Sequence, residues 1–307
     1  MLGHITDPSA PDGLIRRELP EPQPGEHDVV VEVSAYAVNR GELSLLTQRP
    51  DGFTPGQDLA GVVKAAAADG SGPPVGTRVV GIADRGSWSE RVTVPSHRIA
   101  ALPDTVSLAE AASLPVAGLT ALRVLRTGGP LLGRRVLVTG ASGGVGSFAV
   151  QLARVAGAHV TAHVSGPSRV EQVRALGAGT VITTIGQDSG PFDLVVDGVG
   201  GSVLTEALRR LARGGVLTAY GLASGQRSDI AFTDFRGAVP GARLQGFFVY
   251  ATGEETFGED LATLAGLVAD GRLSPQLGAV RDWSETIEAV AALRARRVSG
   301  KVVLTRS

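Results

Sequence analysis

The run Val136-Leu137-Val138-Thr139-Gly140-Ala141-Ser142-Gly143-Gly144-Val145-Gly146 has the residue types and spacing of a phosphate-binding turn. An apolar strand leads into a tight glycine turn, and a helix leads out of it. That is the order a dinucleotide pyrophosphate requires. Glycines let the backbone approach the phosphates, and the helix N-terminus presents unpaired N–H groups to their charge. The fingerprint is imperfect, because Ala141 holds the first position of G-x-G-x-x-G, and it works only if Gly140 makes the turn. A glycine-rich turn with no ligand is the plainer alternative. A second strand arriving on schedule favours the cofactor. Gly140, Ala141, Ser142, Gly143, Gly144, Val145 and Gly146 are therefore candidate cofactor-binding residues.

Charge at the end of the next strand selects the cofactor. A site for NAD places a carboxylate about 20 residues past the glycine turn, to grip the ribose 2′-hydroxyl. Here the window is His163-Val164-Ser165-Gly166-Pro167-Ser168-Arg169, and its first acid is Glu171, already inside the following helix. Ser165 and Ser168 can donate hydrogen bonds to a 2′-phosphate, and Arg169 can pair with it. The expectation is NADPH. The alternative is that Ser168 only caps a helix starting at Arg169.

Other chemistries are excluded by what is missing. Cysteine is absent, which removes disulfides, thiolate-bound zinc, iron–sulfur clusters and thiol nucleophiles. His4, His27, His97, His159 and His163 fall at no ligand spacing and read as surface or strand-end residues. Twenty-nine basic against thirty acidic residues leave a net charge of −1, so no nucleic-acid partner is expected. No apolar run reaches the ~18 residues of a membrane span, and the start lacks a secretion-signal layout. The expectation is a cytoplasmic protein with no membrane partner.

The elements that must position these residues follow from periodicity. At 307 residues the chain is long enough for about two domains. Its first hundred residues alternate β-branched runs (29–33, 59–64, 78–82, 91–94) with Pro/Gly/Asp clusters. From about residue 107 helices and strands alternate. Strands are expected at 135–138, 159–164, 181–184, 194–196 and 216–220, with 244–250 as the last of the sheet. Helices fall between them, through Phe148, Leu152 and Val155, across 169–176, and through Leu204, Leu208 and Leu211. The rhythm predicts a doubly wound parallel (Rossmann) sheet. Gly221 then borders the cofactor by its position after a strand. Asp197 ends another strand, either at the ligand edge or as a helix cap. Two helices, near 261–268 and 286–293, and a strand at 302–304 close the chain.

Several segments in order resemble the zinc-independent quinone oxidoreductase (zeta-crystallin-like) branch of the medium-chain dehydrogenase/reductase superfamily. They are Pro55-Gly56-Gln57-Asp58-Leu59-Ala60-Gly61, Gly86-Ser87-Trp88-Ser89-Glu90, Ala112 to Ala121, the glycine turn with Gln151-Leu152-Ala153, Asp197-Gly198-Val199-Gly200, and Ser299-Gly300-Lys301-Val302-Val303-Leu304. The resemblance implies an α/β fold in two parts. A GroES-like β domain takes 1–116 and 252–307, and a Rossmann NADPH-binding domain takes 117–251. It implies hydride transfer from NADPH to a quinone or an enone-type alkene. The alternatives are an enoyl-thioester or polyketide-tailoring reductase and, less favoured, a non-catalytic NADPH-binding protein. A homodimer is implied, with Phe247, Phe248 and Tyr250 in a strand at its interface or in ordinary core.

The same resemblance assigns residues. Asn39 stands where zinc-dependent relatives have a Cys ligand, and Gln57-Asp58 where they have His-Glu, so no metal site is expected. Asn39 is expected beside the nicotinamide, bonding cofactor or substrate; alternatively it supports its own turn. Ser44 stands where the family usually has a tyrosine and is the other catalytic candidate, for a substrate carbonyl. Thr120 is expected near the nicotinamide end, or alternatively as a buried hydroxyl bonding a backbone carbonyl of its helix. Lys301 is expected near a cofactor phosphate, or alternatively in solvent close to the terminus.

Overall fold

The computed structural model describes residues 1–307 except 11, 50, 236–239 and 307. The chain forms two compact units, Met1–Leu119 with Gly253–Ser307, and Thr120–Thr252.

The first unit begins with an antiparallel hairpin, β1 (Leu2–Thr6) and β2 (Leu14–Glu18). Next come β3 (Asp28–Val38), α1 (Arg40–Gln48), β4 (Asp58–Ala65), β5 (Arg78–Ile82), β6 (Arg91–Pro95), β7 (Ile99–Ala101) and α2 (Leu108–Ala112). Helix α3 (Pro115–Arg126) leads into the second unit. There the chain runs β8 (Arg135–Thr139), α4 (Gly144–Val155), β9 (His159–His163), α5 (Val170–Ala175), β10 (Thr180–Ile182), β11 (Phe192–Asp197), α6 (Gly201–Leu208), β12 (Leu211–Ala219) and β13 (Arg243–Gly246). It returns to the first unit with α7 (Phe257–Ala269), β14 (Leu277–Asp282), α8 (Thr286–Arg294) and β15 (Lys301–Thr305).

A seven-stranded sheet organises the first unit, in the order β14-β15-β3-β4-β5-β7, with β6 also pairing β3. The eleven residues of β3 are apolar at nearly every position because both faces are covered. Its Tyr36 stacks on Trp88 at 5.8 Å, meets Trp283 at 5.2 Å, and shares a 2.5 Å hydrogen bond with Thr286. Strands β15, β3 and β4 are successive antiparallel neighbours, so the start of β15, the end of β3 and the start of β4 lie at one sheet edge. His4 is core, not surface. It is 2% exposed in β1, and burial lowers its pKa to about 4.

All six strands of the second sheet are parallel, in the order β10-β9-β8-β11-β12-β13. The order reverses between β8 and β11, the topological switch where such sheets bind ligands at their carboxyl ends. Elements expected from periodicity recur with shifted ends. Leu211 opens β12 instead of closing a helix, because the chain reverses within two residues of α6. The expected strand 244–250 is shorter: β13 stops at Gly246 and a 3-10 turn covers Val249–Ala251. The register with β12 ends at Ala219–Gly246, and the Phe247 N–H makes one further bond to the Ala219 carbonyl at 2.8 Å before the chain turns. No helix among the described residues is long and apolar enough to cross a membrane.

Candidate functional site

In the second unit the switch point is built around the glycine turn. Gly140 has φ +60°, a left-handed conformation that favours glycine, and the chain turns there directly after β8. A Cβ at Gly146 would fall on the Gly140 carbonyl oxygen and 2.7 Å from Ala141 Cα. Only glycine lets α4 pack this close under its own turn. Gly143 caps α4, and its N–H bonds the Gly140 carbonyl at 2.9 Å. Gly144 and Val145 open the helix, half-buried, while Gly143 is exposed. The buried Ala141 donates its N–H to the His163 carbonyl at 3.1 Å, which ties the turn to the end of β9. A helix N-terminus beside a glycine turn fits a pyrophosphate.

A second tie crosses the switch. Thr139 Oγ1 donates to Asp197 Oδ1 at 2.5 Å and accepts from the Gly198 N–H at 3.2 Å. Asp197 Oδ2 accepts from the Gly200 N–H at 2.9 Å, immediately before α6. The fully buried carboxylate thus holds the β11–α6 turn against the end of β8, and burial raises its pKa. Sequence reasoning singled out Asp197 but not Thr139, whose partner lies 58 residues away.

Arg169 Nη1 lies 3.4 Å from Ser142 Oγ, so the guanidinium stands over the glycine turn. Ser165 and Ser168 are exposed beside it. Ser168 does not cap a helix: it is inside a 3-10 turn, Pro167–Arg169, capped by Gly166. Gly221 is exposed two residues past β12. Thr120 is 7% exposed in α3.

The first unit holds a buried polar cluster at the shared edge of β15, β3 and β4. Asp58 receives three donors, from Val116 N–H at 2.7 Å, Asn39 Nδ2 at 2.9 Å and Lys301 Nζ at 2.8 Å. Asn39 Oδ1 accepts a second Lys301 N–H at 2.6 Å. Glu42 takes the Asn39 N–H on Oε2 at 2.7 Å and the Gln57 N–H on Oε1 at 2.9 Å. Asp58 and Glu42 are completely buried, Lys301 is 4% exposed and Asn39 9%. Burial and the neighbouring Asp58 push the Glu42 carboxyl up to about 8, although two backbone N–H groups and Lys301 favour its anion.

This cluster corrects one expectation. Lys301 is not a solvated arm available to a cofactor phosphate; its ammonium is enclosed and committed to Asp58 and Asn39. The Asn39 amide does not support its own turn either, since both its ends leave the local backbone. Ser44 lies on the exposed face of α1, opposite buried Glu42 and Leu46. Sequence reasoning gave no role to Glu42, although Asn39-Arg40-Gly41-Glu42 has capping-box spacing.

Comparison with known proteins agrees with both units. Residues 25–104 match the model for the alcohol dehydrogenase GroES-like domain, and 144–266 that for zinc-binding dehydrogenase. Trans-enoyl reductase tazE of Aspergillus terreus is 36% identical over 64% of this chain and 71% of its own length. Quinone-oxidoreductase QR1, a chloroplastic protein of Triphysaria versicolor, is 36% identical over 55% of this chain and 56% of its own. The quinone oxidoreductase structure from Coxiella burnetii superposes with a TM-score of 0.85 at 26% identity, covering 100% of this chain and 99% of that one.

The chain belongs to the quinone oxidoreductase branch of the medium-chain dehydrogenase/reductase superfamily. It has a GroES-like domain and a Rossmann-like parallel sheet. A mycobacterial relative solved with NADPH has a TM-score of 0.88 at 27% identity, covering 99% of this chain and 100% of its own; with the family, it points to a nicotinamide cofactor. The chain spans about half the length of QR1, and only 5–14% of the polyketide synthases it also matches.

Zinc does not fit the side chains where this superfamily's zinc-dependent members hold it. Asn39 offers an amide oxygen already bonded to an ammonium, and Asp58 has that same ammonium 2.8 Å from its Oδ2. A dication would meet Lys301 first, and amides are poor zinc ligands. Among the described residues no group of three or more His, Asp or Glu could hold a metal ion.

Proposed function

We propose that the chain is an NADPH-dependent, zinc-independent reductase of quinones or enone-type alkenes. The observation that carries this reading is the enclosed Lys301 ammonium between Asn39 and Asp58, in place of a Lewis acid open to substrate. Such a cluster can align a hydrogen bond to a developing oxyanion but offers no metal-bound water to deprotonate an alcohol. It suits acceptors already activated for conjugate addition.

When bound, NADPH supplies the hydride. The chain's own residues do the rest. Gly140 to Gly146 expose helix-terminal amides toward the pyrophosphate, and Arg169, Ser165 and Ser168 hold the 2′-phosphate without a competing carboxylate. Thr139 and Asp197 fix the two turns at the switch point. Asn39 donates one N–H to the oxygen that gains charge. In the first unit Ser44, exposed on α1, is proposed to bond a substrate carbonyl; in the second, Thr120 is proposed to contact the nicotinamide end of the cofactor. The protein is cytoplasmic and a homodimer on this reading. The fully exposed edge strand β13, followed by Phe248 at 65% exposure, supports self-association.

The 36% identity to a trans-enoyl reductase favours a second reading, in which the acceptor is an enoyl thioester. One assay separates them: consumption of NADPH and NADH with 1,4-benzoquinone, 9,10-phenanthrenequinone and crotonyl-CoA in parallel. Preference for NADPH with a quinone supports the first reading, and activity with crotonyl-CoA alone replaces it by the second. Inactivity with all three, despite tight NADPH binding, sinks both.

A further inference from the structure

We propose that Lys301 and Asp58 together are positioning residues that lock the Asn39 amide in one flip state. The inference rests on the proposed hydrogen-bonding role of Asn39 and adds what orients it.

A primary amide presents nearly the same shape in its two flip states, so its direction is set by its partners. Here the partners allow only one answer. The Lys301 ammonium has donors and no acceptor, so the 2.6 Å contact must fall on Asn39 oxygen. The Asp58 carboxylate accepts three hydrogen bonds, so the 2.9 Å contact must come from Asn39 nitrogen. Lys301 also bonds Asp58 directly at 2.8 Å, which closes a three-membered ring of side chains. Flipping the amide would set N–H against ammonium and oxygen against carboxylate at once. One N–H and one oxygen lone pair remain for anything outside the ring, each with a fixed direction.

The backbone gives the ring its rigidity. Lys301 opens β15, Asp58 opens β4, and Asn39 follows the last residue of β3 between them. The Val302–Val38 register aligns the first pair across an antiparallel ladder. Val116 at the N-terminus of α3 holds the far oxygen of Asp58, where the helix dipole also favours the negative charge. Glu42, in the first turn of α1, fixes the Asn39 backbone N–H, while the Asn39 side chain is held from two other strands by Asp58 and Lys301.

The test is a double-mutant cycle with purified full-length protein, NADPH and 9,10-phenanthrenequinone. Lys301→Met alone leaves Asp58 as an unpaired buried charge and can unfold the chain. The working variant is therefore Asp58→Asn/Lys301→Met, which removes both charges together. Its kcat should fall about two- to tenfold, the worth of one neutral hydrogen bond, with the NADPH dissociation constant unchanged. Adding Asn39→Ala should then lower kcat no further than Asn39→Ala does alone, because the ring acts through that amide. Full activity of the folded pair variant, or additive losses, would overturn the inference while leaving the role of Asn39 standing. Unchanged kcat in Asn39→Ala itself would instead remove the underlying reading. A pair variant that fails to fold would make Lys301 and Asp58 structural and overturn the proposal as well.

Discussion

Replacing Glu42 with glutamine should remove a slope in stability between pH 6.5 and 8. In the folded protein the Glu42 carboxyl titrates at about 8 against an ordinary 4.5, through burial and the proximity of Asp58. A folded pKa above the unfolded one means that the folded state keeps a proton the unfolded chain releases. The stabilisation is complete below pH 4.5 and is lost as pH rises through 8. His4 works in the opposite sense. Its pKa is lowered to about 4 from 6.5, so its contribution is complete above pH 6.5 and is lost as pH falls through 4. The two overlap below pH 6.5; above it His4 is flat. Each pH unit there is worth about 1.4 kcal/mol, so the wild type should lose roughly 2 kcal/mol between pH 6.5 and 8. Exposed His27, raised by Asp69, titrates identically in both proteins and cancels in their difference. Glutamine accepts through one oxygen where Glu42 uses two, so one backbone N–H loses its partner. That costs about 1–3 kcal/mol at every pH and shifts the curve without tilting it. Urea titrations at half-unit pH steps and constant ionic strength, extrapolated linearly to water, measure both terms. A variant that keeps the wild-type slope would refute the buried proton on Glu42.

Arg169→Ala should raise KM for NADPH about ten- to a hundredfold and leave NADH nearly unchanged, since one charged hydrogen bond to phosphate is worth roughly 1.5–3 kcal/mol; equal loss of both cofactors would cancel the assignment. Gly146→Val puts a branched side chain against the Gly140 carbonyl and should weaken NADPH binding at least tenfold, with about 1–3 kcal/mol of lost stability, read by fluorescence titration and thermal unfolding. Asn39→Ala should lower kcat if its amide bonds the developing oxyanion, together with about 1–3 kcal/mol of stability for the buried Lys301 N–H left without its acceptor; unchanged kcat/KM in a folded variant counts against that role. Phe248→Ser should shift the protein from dimer to monomer in light scattering if β13 forms the interface.

The second unit was legible because its chemistry is local. Val136 to Gly146 carries strand, turn and helix cap in one stretch, and the absent acid near Ser165 is visible by counting. Each strand of that sheet enters at the place the helix–strand rhythm gives it. Its errors are end errors. Leu211 and the stretch 247–250 are apolar enough to continue an element, and only pairing decides where the element stops. The cluster of the first unit was legible in its members and not in their relations. Asn39 and Gln57-Asp58 stood out as replacements for metal ligands, yet Lys301 lies 262 residues from Asn39. Nothing local in the sequence says that β15 pairs β3. A lysine six residues from the last position has the pattern of a solvated tail until the sheet register buries it.

The charges of that cluster limit its chemistry. Asp58 contributes one negative charge, Lys301 one positive, and Glu42 none while its carboxyl keeps its proton up to about pH 8. The sum near neutral pH is zero inside a region almost closed to water, which is how three titratable side chains are tolerated there. A zinc ion in the same place would present charge directly to a substrate oxygen. Lys301 cannot, because it is 4% exposed and already faces two acceptors. Any polarisation that leaves the cluster must therefore pass through the single free N–H of Asn39. One neutral hydrogen bond of that kind contributes about 0.5–1.5 kcal/mol, well below what a Lewis acid supplies. On the function proposed above, a site with that little electrostatic assistance suits substrates whose own conjugation spreads the incoming charge, as quinones, enones and enoyl thioesters do, better than simple alcohols or ketones.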